Sequence, residues 1–71
     1  MARFEFYLVD QDPIEIELEG IDSIGLLNDV FKREGAVIGK IINDGRKRLE
    51  GAAVHENLIP FHQVRRVQLI S

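Results

Sequence analysis

Apolar side chains occupy every second position in residues 3–9 and again in residues 14–19. This period of two is typical of β-strands that are buried on one face only. Between the two runs lies Asp10-Gln11-Asp12-Pro13, a composition that favours a turn. The sequence therefore predicts a β-hairpin that buries one set of side chains: Phe4, Phe6, Leu8, Ile14, Ile16 and Leu18.

The register of this hairpin must keep both apolar sets on the same face, because a slip of one residue would move one set into solvent. Pairing Leu8 with Ile14 meets this condition, and it places Glu5 opposite Glu17 on the other face. Two like charges directly opposite each other destabilise a sheet. We therefore expect this second face to be exposed, or to meet a cationic partner.

Residues 23–34 have the spacing of an amphipathic helix. Asp22 or Ser23 can act as the N-cap, and Lys32 and Arg33 fall in the last turn, where cations suit the helix dipole. Gly35 fits the position after the helix, which usually adopts a left-handed conformation. The predicted apolar stripe consists of Ile24, Leu27, Val30 and Phe31.

The second half of the chain favours further strands. Residues 36–43 are apolar on both faces, and the turn signal Asn43-Asp44-Gly45 predicts a hairpin with residues 47–55. Leu58-Ile59 begins another short strand, which Pro60 places at a sheet edge or at a strand start. One helical turn is expected over residues 61–64, and residues 65–70 form the last strand.

The predicted fold is one α+β domain spanning residues 1–71, in the order ββαβββ. We expect a twisted, mostly antiparallel sheet with one helix packed on one face. Besides the hairpin residues above, the expected core contains Ile24, Leu27, Phe31, Ile41, Leu49, Val67 and Leu69.

The length of the chain bears on its assembly. A domain of 71 residues usually needs a disulfide, a metal or a partner subunit, because small cores stabilise weakly. Cysteine is absent, which fits a reducing compartment such as the cytoplasm. No run of apolar residues approaches the roughly 18 of a membrane span. We therefore expect a cytoplasmic homo-oligomer, with no membrane partner.

The sequence offers little chemistry for catalysis. It has no cysteine or threonine, and its two serines are Ser23, which suits a helix cap, and the C-terminal Ser71. His55 and His62 are the only histidines, too few for a zinc site without thiols. We therefore expect no enzyme, no cofactor and no metal.

Two functional hypotheses remain, because charge is unevenly distributed. Residues 1–30 carry a net charge of −7 and residues 31–71 carry +4. The first hypothesis is a protein–protein interaction or regulatory module that self-associates, as a homodimer, through a sheet face or edge. Its expected interface residues are Ile38, Ile42, Glu15 and Glu17.

The alternative is a nucleic-acid-binding accessory protein, for RNA or DNA, that uses the basic C-terminal half. A cluster of cations would neutralise phosphates and give an affinity that depends on salt. If the last strand pairs with the basic hairpin, Arg66 and the hairpin cations could share a surface with Lys40. Its candidate residues are Lys40, Arg46, Lys47, Arg48, Arg65 and Arg66.

Overall fold

Five strands and one helix follow one another in the expected order, ββαβββ, in a computed structural model that describes residues 2–44, 47–51 and 54–70. The elements are β1 (Ala2–Leu8), β2 (Ile14–Leu18), α1 (Ile24–Glu34), β3 (Ala36–Asn43), β4 (Glu56–Pro60) and β5 (Val64–Leu69), with a 3₁₀ turn at Phe61–Gln63. The strands form one antiparallel sheet in the order β4-β3-β2-β1-β5. Strands β4 and β5 are therefore its edges.

The core lies between the sheet and α1, on what we call the helix face. The apolar set of the first hairpin is buried there as predicted, and Leu27 and Phe31 of α1 pack against it. Ile24 and Leu69 were expected in this core but are 44% and 45% exposed. Both expectations were wrong: Ile24 lines a groove beside the edge strand β5, and Leu69 is the last residue of that edge strand, where cover is incomplete. Leu49 also lies outside the core cluster.

Helix α1 has the ends that the sequence predicts. Ser23 is the N-cap, and its Oγ accepts a hydrogen bond from the Leu26 N–H at 3.2 Å. Gly35 follows the helix with φ 75°, and its N–H donates to the Phe31 carbonyl at 2.8 Å. Glycine adopts this left-handed conformation at little energetic cost, because it has no Cβ atom, and this explains why the helix ends here.

The register of the first hairpin is shifted by two residues along β2 relative to the prediction. Phe4 lies opposite Ile16, and Glu5 lies opposite Glu15. Ile14, predicted to pair with Leu8, lies opposite Phe6. Leu8 pairs with Val64 of β5, on the other side of β1. The predicted and observed registers both keep the apolar residues on the helix face, so alternation alone could not choose between them. The opposed pair of glutamates is present, with Glu15 in the place predicted for Glu17.

The predicted strand over residues 47–55 is absent from its described part, residues 47–51 and 54–55. The chain does reverse after β3, with one bridge between Asn43 and Arg48. Gly51 then adopts φ 56°, a left-handed conformation that ends an extended strand. The long partner of β3 is β4, whose Ile59 lies opposite Val37 in the core. Residues 45, 46, 52 and 53 lie outside the described residues.

Strand β3 approaches β2 closely at Gly39, which is buried. A Cβ atom at this position would lie 2.5 Å from Ile16 Cγ2 and 2.6 Å from Leu18 Cδ2. Both neighbours are 0% exposed. The absence of a side chain at Gly39 therefore permits the contact between these two strands.

Candidate functional site

A row of alternating charges crosses the side of the sheet opposite α1, which we call the open face. Arg3 lies opposite Glu17, Glu17 opposite Lys40, and Lys40 opposite Glu56. The Arg3 Nε atom is 3.9 Å from Glu17 Oε2. Exposed ion pairs stabilise a fold only weakly, but the alternation leaves this row without net charge. Lys40 is thus flanked by glutamates.

An acidic centre lies next to this row. Glu5 is opposite Glu15 on β2 and opposite Gln68 on β5. The Tyr7 hydroxyl donates a hydrogen bond to Glu5 Oε1, and the Arg66 guanidinium lies 4.4 Å from the centre of the Tyr7 ring. The hydrogen bond to Glu5 raises the pKa of Tyr7, desolvation adds to this, and Arg66 opposes it.

The candidate cations of the nucleic-acid hypothesis lie far apart among the described residues. Arg65 and Arg66 belong to β5, whereas Arg48 bridges to β3 from the other side, with Lys47 beside it. Three strands separate these groups, so their distance is about 19 Å at ~4.8 Å per strand spacing. Among the described residues the last strand pairs with β1 and not with the basic hairpin, so the pairing that would bring Arg66 beside the hairpin cations does not form there. Arg46 lies outside the described residues.

The four residues expected at a subunit interface differ in their exposure. Glu15 and Glu17 are half-buried on the open face. Ile42 is only 9% exposed, and it is the extra residue where the pairing with β2 shifts register. Ile38 is 58% exposed. Of the four, Ile38 offers the largest apolar surface to a partner.

Ile38 belongs to an exposed apolar pair at the β4 edge. It lies directly opposite Leu58, which is 67% exposed. The adjacent pair on the same face is Lys40 and Glu56, of opposite charge. Large apolar side chains that are this exposed, and adjacent to each other, mark candidate contact surfaces.

Among the described residues, no strand pairs with the outer side of β4, so its outward backbone groups are available to a partner. The Phe61 N–H donates to the Gly35 carbonyl at 2.9 Å. Inward and outward groups alternate along an antiparallel strand, so the N–H and C=O groups of Leu58 and Glu56 point away from β3. Pro60 lies at the third outward position and has no N–H to offer.

At the opposite edge, no strand within residues 2–44, 47–51 and 54–70 pairs with the outer side of β5. The Ile70 N–H donates to the Arg3 carbonyl at 2.8 Å. By the same alternation, the N–H and C=O groups of Val67 and Leu69 point away from β1. Their side chains lie on the helix face, because Val67 is opposite Phe6.

An apolar groove of about 260 Å³ runs beside this free edge, between α1 and β5. Leu27, Phe31 and Val67 form its floor. Ile24 and Phe61 flank it, and Phe61 is 52% exposed although its ring centre lies 4.9 Å from that of Phe31. The groove and the free edge together form a continuous surface.

The structure offers no candidate metal centre within residues 2–44, 47–51 and 54–70, where no three His, Asp or Glu side chains gather closely enough to hold an ion. His55 precedes β4, and His62 lies in the 3₁₀ turn. In the same described part of the chain, no helix has the length and apolar character needed to cross a membrane.

Sequence reasoning missed Leu58, Phe61 and the β5 edge. Leu58 and Ile59 are adjacent apolar residues in a short strand, so one of them must face away from the core. That signal could have identified Leu58. The sequence could not predict that β5 is an edge strand, because the order of strands in a sheet depends on pairings between distant residues.

Comparison with known proteins gives no relative. The chain matches no known family model, and no curated protein and no solved structure matches it. A functional conclusion therefore depends on the two edges and the groove themselves.

Proposed function

We propose that this chain is a non-catalytic protein–protein interaction module that self-associates, with two copies pairing through the free edges of β4. The observation that carries the proposal is the exposed pair Ile38 and Leu58 beside an unpaired strand edge. Unpaired edges are ready templates for pairing with another chain.

The geometry of β4 suits a second copy. In an antiparallel pairing about a twofold axis at Leu58, each Leu58 lies opposite its counterpart. The four apolar side chains Ile38, Leu58 and their two counterparts then form one continuous row across the junction. Each copy contributes the free N–H groups of Leu58 and Glu56, so four backbone hydrogen bonds can form.

The charges of the edge are compatible with this arrangement. In the register centred on Leu58, Glu56 lies opposite Pro60 of the second copy, so no two like charges face each other. Face-to-face packing of whole open faces is less favourable, because it would bring the acidic centres around Glu5 and Glu15 together. The edge is therefore the better self-complementary surface.

Pairing of two five-residue strands buries little area. It falls below the roughly 1,200 Å² of a stable specific interface, and Pro60 removes one donor from each side. We expect a weak dimer whose population rises with concentration.

Sedimentation velocity over a range of protein concentrations tests the proposal. We expect the wild type to shift from monomer toward dimer at high micromolar concentration. Leu58→Glu should abolish the shift, because it places two carboxylates opposite each other and removes the apolar row. Leu58 is largely exposed, so circular dichroism should show an unchanged fold.

Leu26→Glu is the matched control, since Leu26 is an exposed leucine on α1 that belongs neither to β4 nor to the groove lining. It should leave association intact. A wild type that stays monomeric at high micromolar concentration contradicts the proposal, as does a control that disrupts association as strongly as Leu58→Glu.

Nucleic-acid binding and a cytoplasmic location remain predictions. Neither the separation of the cations nor the acidic centre between them favours a phosphate-binding face. Electrophoretic mobility shift at low salt, with single-stranded and double-stranded RNA and DNA, tests the first. Absence of any shift would end the nucleic-acid hypothesis.

A further inference from the structure

We propose that the β5 edge and its groove bind an extended segment of a partner protein, in which apolar residues alternate with acidic ones. The segment would add a sixth strand to the sheet. This inference concerns the opposite edge from β4 and does not depend on self-association.

The backbone part of the site is the outer side of β5. Val67 and Leu69 present their N–H and C=O groups to this side, and β5 is the strand at the end of the sheet. An added strand can therefore form the regular hydrogen bonds of a sheet. Such bonds hold a peptide in place whatever its side chains are, and pockets beside the edge select the side chains.

The groove supplies those pockets. Residues of the added strand that pair with Val67 and Leu69 have their side chains on the helix face, next to Ile24 and Phe61. With about 260 Å³, the groove is smaller than a typical ligand pocket of roughly 300–1,000 Å³. It suits one or two aliphatic side chains of a strand better than a cofactor.

The remaining side chains of the segment, those on the open face, are selected by charge. Arg65 and Arg66 are among the groove residues, which include no acid, but the Arg66 guanidinium itself lies over the Tyr7 ring on the open face. Arg66 is an open-face residue of β5, opposite Tyr7. Every second side chain of an added strand would lie on that face, beside Arg66, which lies between the outer edge and the acidic centre at Glu5. A carboxylate next to Arg66 is therefore favoured over a cation.

The probe is a synthetic peptide in which isoleucine and glutamate alternate over seven residues, carrying a fluorophore for anisotropy. We expect saturable binding that weakens as salt rises. Amide hydrogen exchange, followed residue by residue by NMR, should slow at Val67 and Leu69, because their N–H groups become bonded.

Three variants separate the parts of the site. Leu69→Pro removes a donor that has no partner within the sheet, so it should weaken binding more than Leu69→Ala does. Ile24→Glu places an acid in the groove at the first helical turn, where acids suit the helix dipole. It should abolish binding without lowering thermal stability.

Arg65→Glu should weaken binding about tenfold, equivalent to about 1.4 kcal/mol. Arg33→Glu makes the same change of charge on α1, away from the groove lining, and should have little effect.

Several results would overturn the inference. Equal binding of a peptide with lysine in place of glutamate would remove the charge argument. Equal binding of a peptide of the same composition with its isoleucines in one block would remove the requirement for alternation. Protection of Leu58 and Glu56 amides, with Val67 and Leu69 unchanged, would assign the peptide to the other edge. No binding of the alternating peptide would also overturn it.

The two proposals fail separately. Leu58→Glu should bind the alternating peptide as the wild type does, because it alters only the β4 edge. Ile24→Glu should self-associate as the wild type does. Loss of peptide binding in Leu58→Glu would contradict the assignment of the peptide to β5.

Discussion

A single methyl group added at Gly39 would meet two side chains that have no room to move. The Cβ atom of an alanine would lie 2.5 Å from Ile16 Cγ2 and 2.6 Å from Leu18 Cδ2. Because both neighbours are fully buried, relief requires either a shift of β3 away from β2 or new rotamers within the core. We therefore expect Gly39→Ala to destabilise the protein.

The magnitude follows from two opposing effects. Forcing an extra methyl group into a packed core costs about 1–3 kcal/mol. Replacing glycine by alanine restricts the unfolded chain, which returns about 0.4–1 kcal/mol. The expected net loss is about 1–2 kcal/mol, a large part of the roughly 4–10 kcal/mol available to a domain of this length. The melting temperature should fall by about 4–8 °C for each kcal/mol.

Urea denaturation followed by circular dichroism measures this loss. Gly25→Ala is the matched control: the alanine Cβ at Gly25, in the first turn of α1, would have Ser23 Oγ at 3.9 Å as its nearest neighbour. It should stabilise by up to about 1 kcal/mol, because alanine favours a helix. Replacement of glycine by alanine is thus expected to lower the stability at Gly39 and to raise it at Gly25. A Gly39→Ala protein as stable as the wild type would refute the close approach of β3 and β2.

Three further predictions concern single side chains. Tyr7 is the only tyrosine and the chain has no tryptophan, so tyrosinate absorbance reports Tyr7 alone. Its pKa should lie above 10.0, fall toward that value in Glu5→Gln and rise further in Arg66→Ala. Because the raised pKa favours the neutral phenol in the fold, this stabilisation is complete below pH 10.0 and is lost as pH rises through the pKa of folded Tyr7; urea denaturation across that range measures it. Ser23→Ala should cost about 1 kcal/mol through loss of the N-cap, measured by thermal denaturation. Leu27→Ala should cost about 2–5 kcal/mol in the same assay, because it leaves a cavity in the core.

Alternation and helix-end signals predicted the local structure of this chain because they depend on near neighbours. Ser23 and Gly35 marked the ends of α1, and the period of two assigned the faces of β1 and β2. The register of the first hairpin could not be predicted from alternation in the same way. Two registers that differ by two residues along β2 both bury Phe4 and Ile16, and the choice between them depends on the path of the turn, including the left-handed conformation of Asp10.

The candidate site depended on long-range pairing, which the sequence indicates poorly. Arg66 could be assigned to the surface, but its neighbours depended on whether its strand paired with β1 or with the basic hairpin. Ile38 could be recognised as an apolar residue on the wrong face of β3. Its partner Leu58 emerged only when β4, rather than residues 47–55, proved to be the neighbour of β3.

Placing the two free edges at opposite ends of the strand order has a consequence for avidity. Two copies joined at β4 would carry their β5 edges at the extremes of a ten-stranded sheet, roughly 40 Å apart at ~4.8 Å per strand. A partner with two alternating segments on a linker able to span that distance would bind its second segment intramolecularly. Its apparent affinity would then rise steeply with dimer formation. Protein concentration, through the weak β4 contact, would thus control how tightly such a bivalent partner is held.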